Sequence, residues 1–172
     1  MNFEGKILSL YNKLNKIKKK TKKKIIFSIG NTTKRDKEDY YFTPHRIFKH
    51  TIVFGIVVFN DKFAKLSIRL LDGKVDYIMV DAEKKIFPKS DEIPGNIERR
   101  ARENIKNSKL LIYKGNDLTV DSIDLFLTYY FNDDIRGLGG KKITIIGAGN
   151  IGSKLALILL ERGSKVVICR RD

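Results

Sequence analysis

Cysteine occurs once in this chain, at Cys169, and histidine only at positions 45 and 50. One thiol cannot build an intramolecular disulfide framework, and with one thiol and two imidazoles in the chain a zinc enzyme is not expected. Long apolar runs are missing too. The stretch Thr51–Phe59 is among the longest, far short of the roughly 20 residues needed to cross a bilayer. No charged start leads into an apolar stretch and a small-residue cleavage site, so no signal peptide is expected and a cytoplasmic location is. Proline is scarce, with three residues, and neither a low-complexity linker nor an internal repeat is visible. Acids are outnumbered, 20 against 35 Lys and Arg, giving a net charge of +15 over 172 residues. At 42% apolar and 32% charged, the chain is neither collagen-like nor disordered throughout, and its length suits one medium domain or two small ones.

The positive charge is unevenly placed. Residues 1–24 carry nine lysines and a single acid, Glu4. Such a segment attracts nucleic acid or an anionic membrane surface by counterion release. The same residues place Phe3, Ile7, Leu10, Leu14 and Ile17 at helical spacing, which predicts an amphipathic helix docked on the body with its lysines in solvent. No aromatic residue interrupts Lys16–Lys24, so a platform for stacking bases is absent there.

Beyond the helix, apolar runs alternate with helix-period segments. Strands are predicted at Ile25–Ile29, Ile52–Phe59, Val75–Val80 and Leu110–Tyr113, with a polar loop over Gly30–Tyr41. Helices are predicted around Phe63–Leu71, stopped by Asp72-Gly73, then at Ile97–Lys106 and Leu118–Tyr130. Strands separated by helices imply βαβ units and a mostly parallel sheet. The polar cluster Thr43-Pro44-His45-Arg46 stands apart from this rhythm, and His45 and His50 are candidates to touch an anionic ligand. The turn Gly137–Gly140 is taken as a domain boundary. The expected organisation is a basic helix over 1–24, an α/β substrate-type domain over 25–136, and the first β-α-β unit of a Rossmann nucleotide-binding domain over 137–172.

That last segment carries the chemistry. Ile143–Ile146 reads as a strand, and Gly147-Ala148-Gly149-Asn150-Ile151-Gly152 supplies G-x-G-x-x-G where strand turns into helix. Gly147 permits the tight turn, Gly149 lets a pyrophosphate approach the backbone, and Gly152 allows close packing of helix on strand. The helix N-terminus offers N–H groups to the anion. Leu155, Ala156 and Leu159 are expected to face the sheet, Gly163 to end the helix, and Val166–Cys169 to form the next strand. No Gly-Lys-Ser/Thr accompanies the glycines, which excludes a P-loop and leaves Lys141-Lys142 as solvated strand flanks. About 20 residues past the glycines, an NAD site places an acid for the ribose hydroxyls. That position falls on Arg170, followed by Arg171, and a pair of guanidinium groups suits the 2′-phosphate of NADP. Asp172 keeps NAD open, and a plain surface basic pair is the other reading.

Gly137–Asp172 and the helix before it resemble the amino-acid-dehydrogenase-like two-domain enzymes. The nearest in layout are shikimate/quinate dehydrogenase and methylene-tetrahydrofolate dehydrogenase. The resemblance implies an NADP-dependent oxidoreductase moving hydride to or from a small hydroxy- or keto-type substrate. It also implies a lysine–aspartate pair for proton transfer: Gly115-Asn116-Asp117 is similar to the family's aspartate turn, giving Asp117, with Lys85 or Lys114 as the lysine. Asp117 as a helix cap and Lys84-Lys85 as a solvated turn are the structural alternatives. The serine pair that holds the substrate carboxylate in shikimate dehydrogenases has no match.

A dinucleotide fold needs strands beyond the second to hold the nicotinamide half. The expectation is therefore that these residues belong to a longer enzyme and are inactive alone, or that a second copy or another chain completes them. The reading of a different class is a noncatalytic nucleotide-binding or interaction module.

Overall fold

The computed structural model describes residues 2–32, 39–59, 61–83 and 96–170. By their contacts the residues divide into two units, Met1–Tyr113 and Lys114–Asp172.

The first unit opens with α1 (Phe3–Thr21). The Asn2 side chain accepts the Gly5 N–H at 2.9 Å, and Glu4 and Lys18–Lys20 sit at the ends where the helix dipole favours their signs. The helix stops at Lys22, a non-glycine residue in the left-handed region (φ 55°) whose N–H returns to the Lys18 carbonyl. Phe3, Ile7, Tyr11 and Leu14 are buried, while Leu10 and Ile17 pack only at the margin. The apolar stripe is thus turned toward Tyr11, whose hydroxyl donates to the Lys74 carbonyl. The segment 1–24 is part of the first unit's core rather than an appendage to it.

Four parallel strands follow: β1 (Lys24–Asn31), β3 (Thr51–Val58), β4 (Tyr77–Asp81) and β5 (Lys109–Tyr113). The antiparallel strand β2 (Tyr40–Ile47) lies outside β3, giving the order β2-β3-β1-β4-β5. Helices α2 (Asp61–Leu71) and α3 (Ile97–Asn104) complete the unit. The fold class is α/β. Phe27 and Phe54, with ring centroids 5.0 Å apart, are fully buried alongside Ile25, Ile52 and Ile78.

Strand β2 departs from the loop-and-cluster reading of residues 30–46. Pro44 cannot donate to a ladder, and the register slips between Thr43 and Arg46, so the usual alternation is broken in the sequence. What holds the strand is aromatic: Tyr40 sits 4.7 Å from the rings of both Phe3 and Phe63. His45 and His50 are exposed.

Two carboxylates fasten this unit's connections. Asp72 accepts the N–H groups of Lys106, Asn107 and Ser108. Burial raises its pKa, but those hydrogen bonds outweigh it and hold the group below the ordinary carboxylate value. Asp76 accepts Lys18 Nζ at 2.7 Å and the Ile25 N–H at 2.8 Å, so it joins α1 to the sheet.

The second unit contains α4 (Gly115–Tyr130), β6 (Lys142–Ile146), α5 (Asn150–Glu161) and β7 (Lys165–Cys169). Strands β6 and β7 pair in parallel, from Lys142 opposite Lys165 to Ile146 opposite Cys169. Val120, Leu138, Leu155 and Leu159 form a small core. The boundary expected at Gly137 falls inside this unit, because α4 packs on α5 and Leu138 is itself buried. The Arg162 guanidinium of α5 grips Asp124 of α4 at 2.6 Å, and the Ser164 hydroxyl donates to the Leu138 carbonyl. Lys141 is not a solvated flank. Its ammonium reaches Asp134 at 2.7 Å and lies over the Phe131 ring at 4.5 Å. Ile146 and Val167 of the sheet and Phe126, Tyr129 and Tyr130 of α4 are exposed. No described helix is long and apolar enough to cross a membrane.

Candidate functional site: a glycine turn at the head of a helix

The β6–α5 junction does with three glycines what no other residue could do in all three places. Gly147 has φ 122°, a conformation that L side chains rarely adopt, and its N–H donates to the Cys169 carbonyl at 2.8 Å. Gly152 is a packing residue: a Cβ there would stand 2.0 Å from the Gly147 carbonyl oxygen. Gly149 differs from both. Its backbone is ordinary extended chain (φ −81°, ψ −176°), and nothing lies within 4 Å of where its Cβ would be. No packing constraint requires glycine at that position. What its absent side chain leaves is open space in front of a helix N-terminus.

Gly149 is the N-cap of α5 and makes no side-chain cap, so the next residues, Asn150, Ile151 and Gly152, begin the helix with N–H groups that lack intrahelical acceptors. Ala148 is exposed beside them. An open groove of about 500 Å³ runs over the turn, lined by Gly147, Gly149, Asn150 and Gly152, with Asn116 and Ile123 of α4 on its wall. Behind the turn, Leu155, Ala156 and Leu159 are buried, and Gly163 ends the helix region at φ 81°. The chemistry on offer is that of an anion site: convergent N–H groups, a partial positive dipole and no side chain in the approach.

The Gly147–Cys169 hydrogen bond also brings the end of β7 beside the glycine turn. Arg170, the next residue, is exposed there. Arg171 and Lys85 lie outside the described residues.

Asp117 stands in the first turn of α4, whose N-cap is Lys114 and carries no side-chain cap. It is not the cap. Its carboxylate is hydrogen-bonded to the ammonium of Lys154 in α5. That bond, with the charges of Lys154 and Lys114 added, holds the Asp117 carboxyl below its ordinary pKa. The lysine beside Asp117 is therefore Lys154, next to the glycine turn. Sequence reasoning missed it, because the two residues are brought together only by the packing of α4 on α5. Among the described residues no cluster of His, Cys, Asp and Glu could hold a metal, and Cys169 is an exposed free thiol.

No family model matches the chain. A stretch of 62 residues is 39% identical to the shikimate dehydrogenase (NADP(+)) of Archaeoglobus fulgidus, covering 31% of this chain and 23% of that enzyme. The chain therefore spans under a quarter of the length of this curated relative. Among solved structures, the bifunctional FolD methylenetetrahydrofolate dehydrogenase/cyclohydrolase of Campylobacter jejuni aligns over 97% of this chain and 64% of its own. The identity is 17% and the TM-score 0.37. The dipicolinate synthase of Bacillus halodurans aligns through one of its chains over 87% of this chain and 62% of its own, at 13% identity and a TM-score of 0.29. The α/β assignment rests on the strands and helices themselves. The sequence similarity is to a dehydrogenase over a limited stretch.

Proposed function

We propose that β6, α5 and β7 hold the pyrophosphate and adenosine end of a nicotinamide dinucleotide, NADP in preference to NAD, within an oxidoreductase similar to shikimate dehydrogenase. The observation that carries this reading is the contrast at the turn. Gly152 is required by packing, whereas at Gly149 no contact requires a glycine and the space before the helix is open. A pyrophosphate fits that approach, since α5 opens there with three N–H groups. Arg170, and Arg171 after it, supply the charge that a 2′-phosphate needs. NAD, which lacks that phosphate, would gain nothing from them.

NADP, when bound, supplies or accepts the hydride. The chain's own part is to orient it and to manage a proton. Asp117, kept ionised by Lys154, is the acceptor, with a small hydroxy- or keto-type compound as substrate.

A second reading, a noncatalytic nucleotide-binding module whose sheet is covered by another chain or a second copy, is favoured by the bare Ile146, which is 91% exposed. Titration with NADPH and NADH, followed by nicotinamide fluorescence, tests the cofactor claim. Arg170→Ala should weaken NADPH by about 2 kcal/mol, near thirtyfold, and leave NADH unchanged. Equal affinities for both cofactors before and after the substitution would remove the NADP assignment. Turnover of hydroxy acids by the whole protein separates the enzyme from the module.

A further inference from the structure

We propose a second interaction surface, unrelated to the glycine turn, at the opposite end of the first unit's strands from the end where α/β sheets take ligands: a basic, apolar-tipped face that binds an anionic lipid surface. It is assembled from two segments distant in sequence. The last turn of α1 and its exit supply Lys19, Lys20, Lys22, Lys23 and Lys24, and the β2–β3 hairpin supplies Arg46, Phe48 and Lys49. Their juxtaposition is fixed by hydrogen bonds. Lys23 Nζ donates to the carbonyls of Phe48 (2.9 Å) and Lys49 (2.6 Å), and the Lys24 N–H donates to the His50 carbonyl at 3.0 Å. The hairpin is closed by the Phe48 N–H to the Thr51 carbonyl at 2.8 Å.

Charge at this face is one-sided. Among the described residues the one acid paired with these lysines is Asp76, which takes Lys18 and Lys24. Lys19, Lys20, Arg46 and Lys49 are exposed and make no ion pair there. Between these cations the hairpin tip presents Ile47 and Phe48, 50% and 52% exposed, whereas Tyr40 and Phe42 of β2 pack against the core. An aliphatic and an aromatic side chain ringed by lysines match the two layers of a bilayer interface, acyl chains and anionic headgroups. Nucleic acid fits less well, because the face offers one exposed ring, Phe48, and no series of rings on which successive bases could stack. The fold explains why the apolar stripe of α1 does not compete for this role: Phe3, Ile7, Tyr11 and Leu14 are spent on the core. What the helix leaves outside is charge.

Co-sedimentation of the full chain with phosphatidylcholine vesicles, with and without about one-third phosphatidylserine, tests the proposal at about 0.1 M salt. The chain should bind the anionic vesicles, spare the neutral ones and release at high salt. Lys19→Glu/Lys20→Glu/Lys49→Glu should weaken binding by about a hundredfold or more, at roughly fivefold per basic residue. Arg136→Glu/Lys142→Glu/Lys165→Glu, an equal change of net charge at exposed positions of the second unit, should cost less than about threefold. Phe48→Ser should cost about tenfold without altering the salt dependence. Circular dichroism of each variant should match the parent. Equal loss with both charge triads would show that net charge alone binds the vesicles and would overturn the assignment of this face. So would neutral vesicles binding as well as anionic ones, or Phe48→Ser binding unchanged. Duplex DNA displacing the protein from vesicles, with an affinity indifferent to Phe48, would replace the lipid with nucleic acid.

Discussion

Single residues divide cleanly here into those the fold needs and those it does not, and the glycines show the division. Gly152→Ala drives a methyl group into the Gly147 carbonyl, so the β6–α5 junction must open. A loss of about 3 kcal/mol is expected, seen as a lower unfolding midpoint in urea. Gly149→Ala meets nothing, and its backbone suits any residue, so the stability should move by no more than about 0.5 kcal/mol. If the turn holds a pyrophosphate, this harmless methyl should nevertheless weaken NADPH binding by tenfold or more, which corresponds to roughly 1.4 kcal/mol. Stability and affinity read on the same two variants separate a ligand site from a tight turn. The sequence alone made the three glycines legible as a group, because their spacing depends on one strand–helix junction. It could not distinguish their separate jobs, which depend on which carbonyl faces each Cβ. Nor could it pair Asp117 with Lys154, since that contact exists only when α4 lies on α5.

Among the elements, α1 shows how a lysine-rich segment becomes part of a core. Its buried stripe is reinforced by Asp76, whose carboxylate takes Lys18, the Ile25 N–H and Lys24. Burial works against the charged form, yet these partners prevail and hold the pKa below 3.8. The sign of the pH dependence follows. A carboxyl whose pKa is lower folded than unfolded contributes fully above the unfolded value, and loses that contribution as pH falls through the folded one. Asp76→Asn should therefore cost about 1–2 kcal/mol near neutral pH. The gap between variant and parent should close as the pH is taken below 3.8, as urea titrations across that range would show. A gap that persists undiminished at about pH 2 would mean the carboxylate's charge is not what fastens the helix. Helices α2, α3 and α5 and strands β1, β3 and β4 were readable because period and burial agree in them, whereas α4 showed an apolar period although Leu125, Phe126 and Tyr129 are exposed. Strand β2 was not: its proline and register slip erase alternation, and the aromatic contacts that hold it come from α1 and α2.

At the scale of the whole molecule, the two units have unequal means of support. The first buries an extended set of aliphatic and aromatic side chains across a five-stranded sheet, whereas the second has, among the described residues, five buried apolar residues beneath a two-stranded one. Native-state hydrogen exchange should separate them, with amides of β1, β3 and β4 protected well beyond those of β6 and β7. Uniform protection in both would mean the second unit is stabilised by more than its own core. The sequence placed the division between units at a glycine turn, where local flexibility is visible; packing places it before α4, because a helix belongs to whatever its side chains touch. The position of β1 has a consequence in time as well as in space. It lies between β3 and β4, parallel to both, and every one of those pairings requires a crossover to be completed first. Chain closure precedes any hydrogen bond that could reward it. Substitutions at Ile25, Phe27 and Ile29, which face neighbours on both sides, should therefore slow folding more than they speed unfolding, as stopped-flow refolding would show.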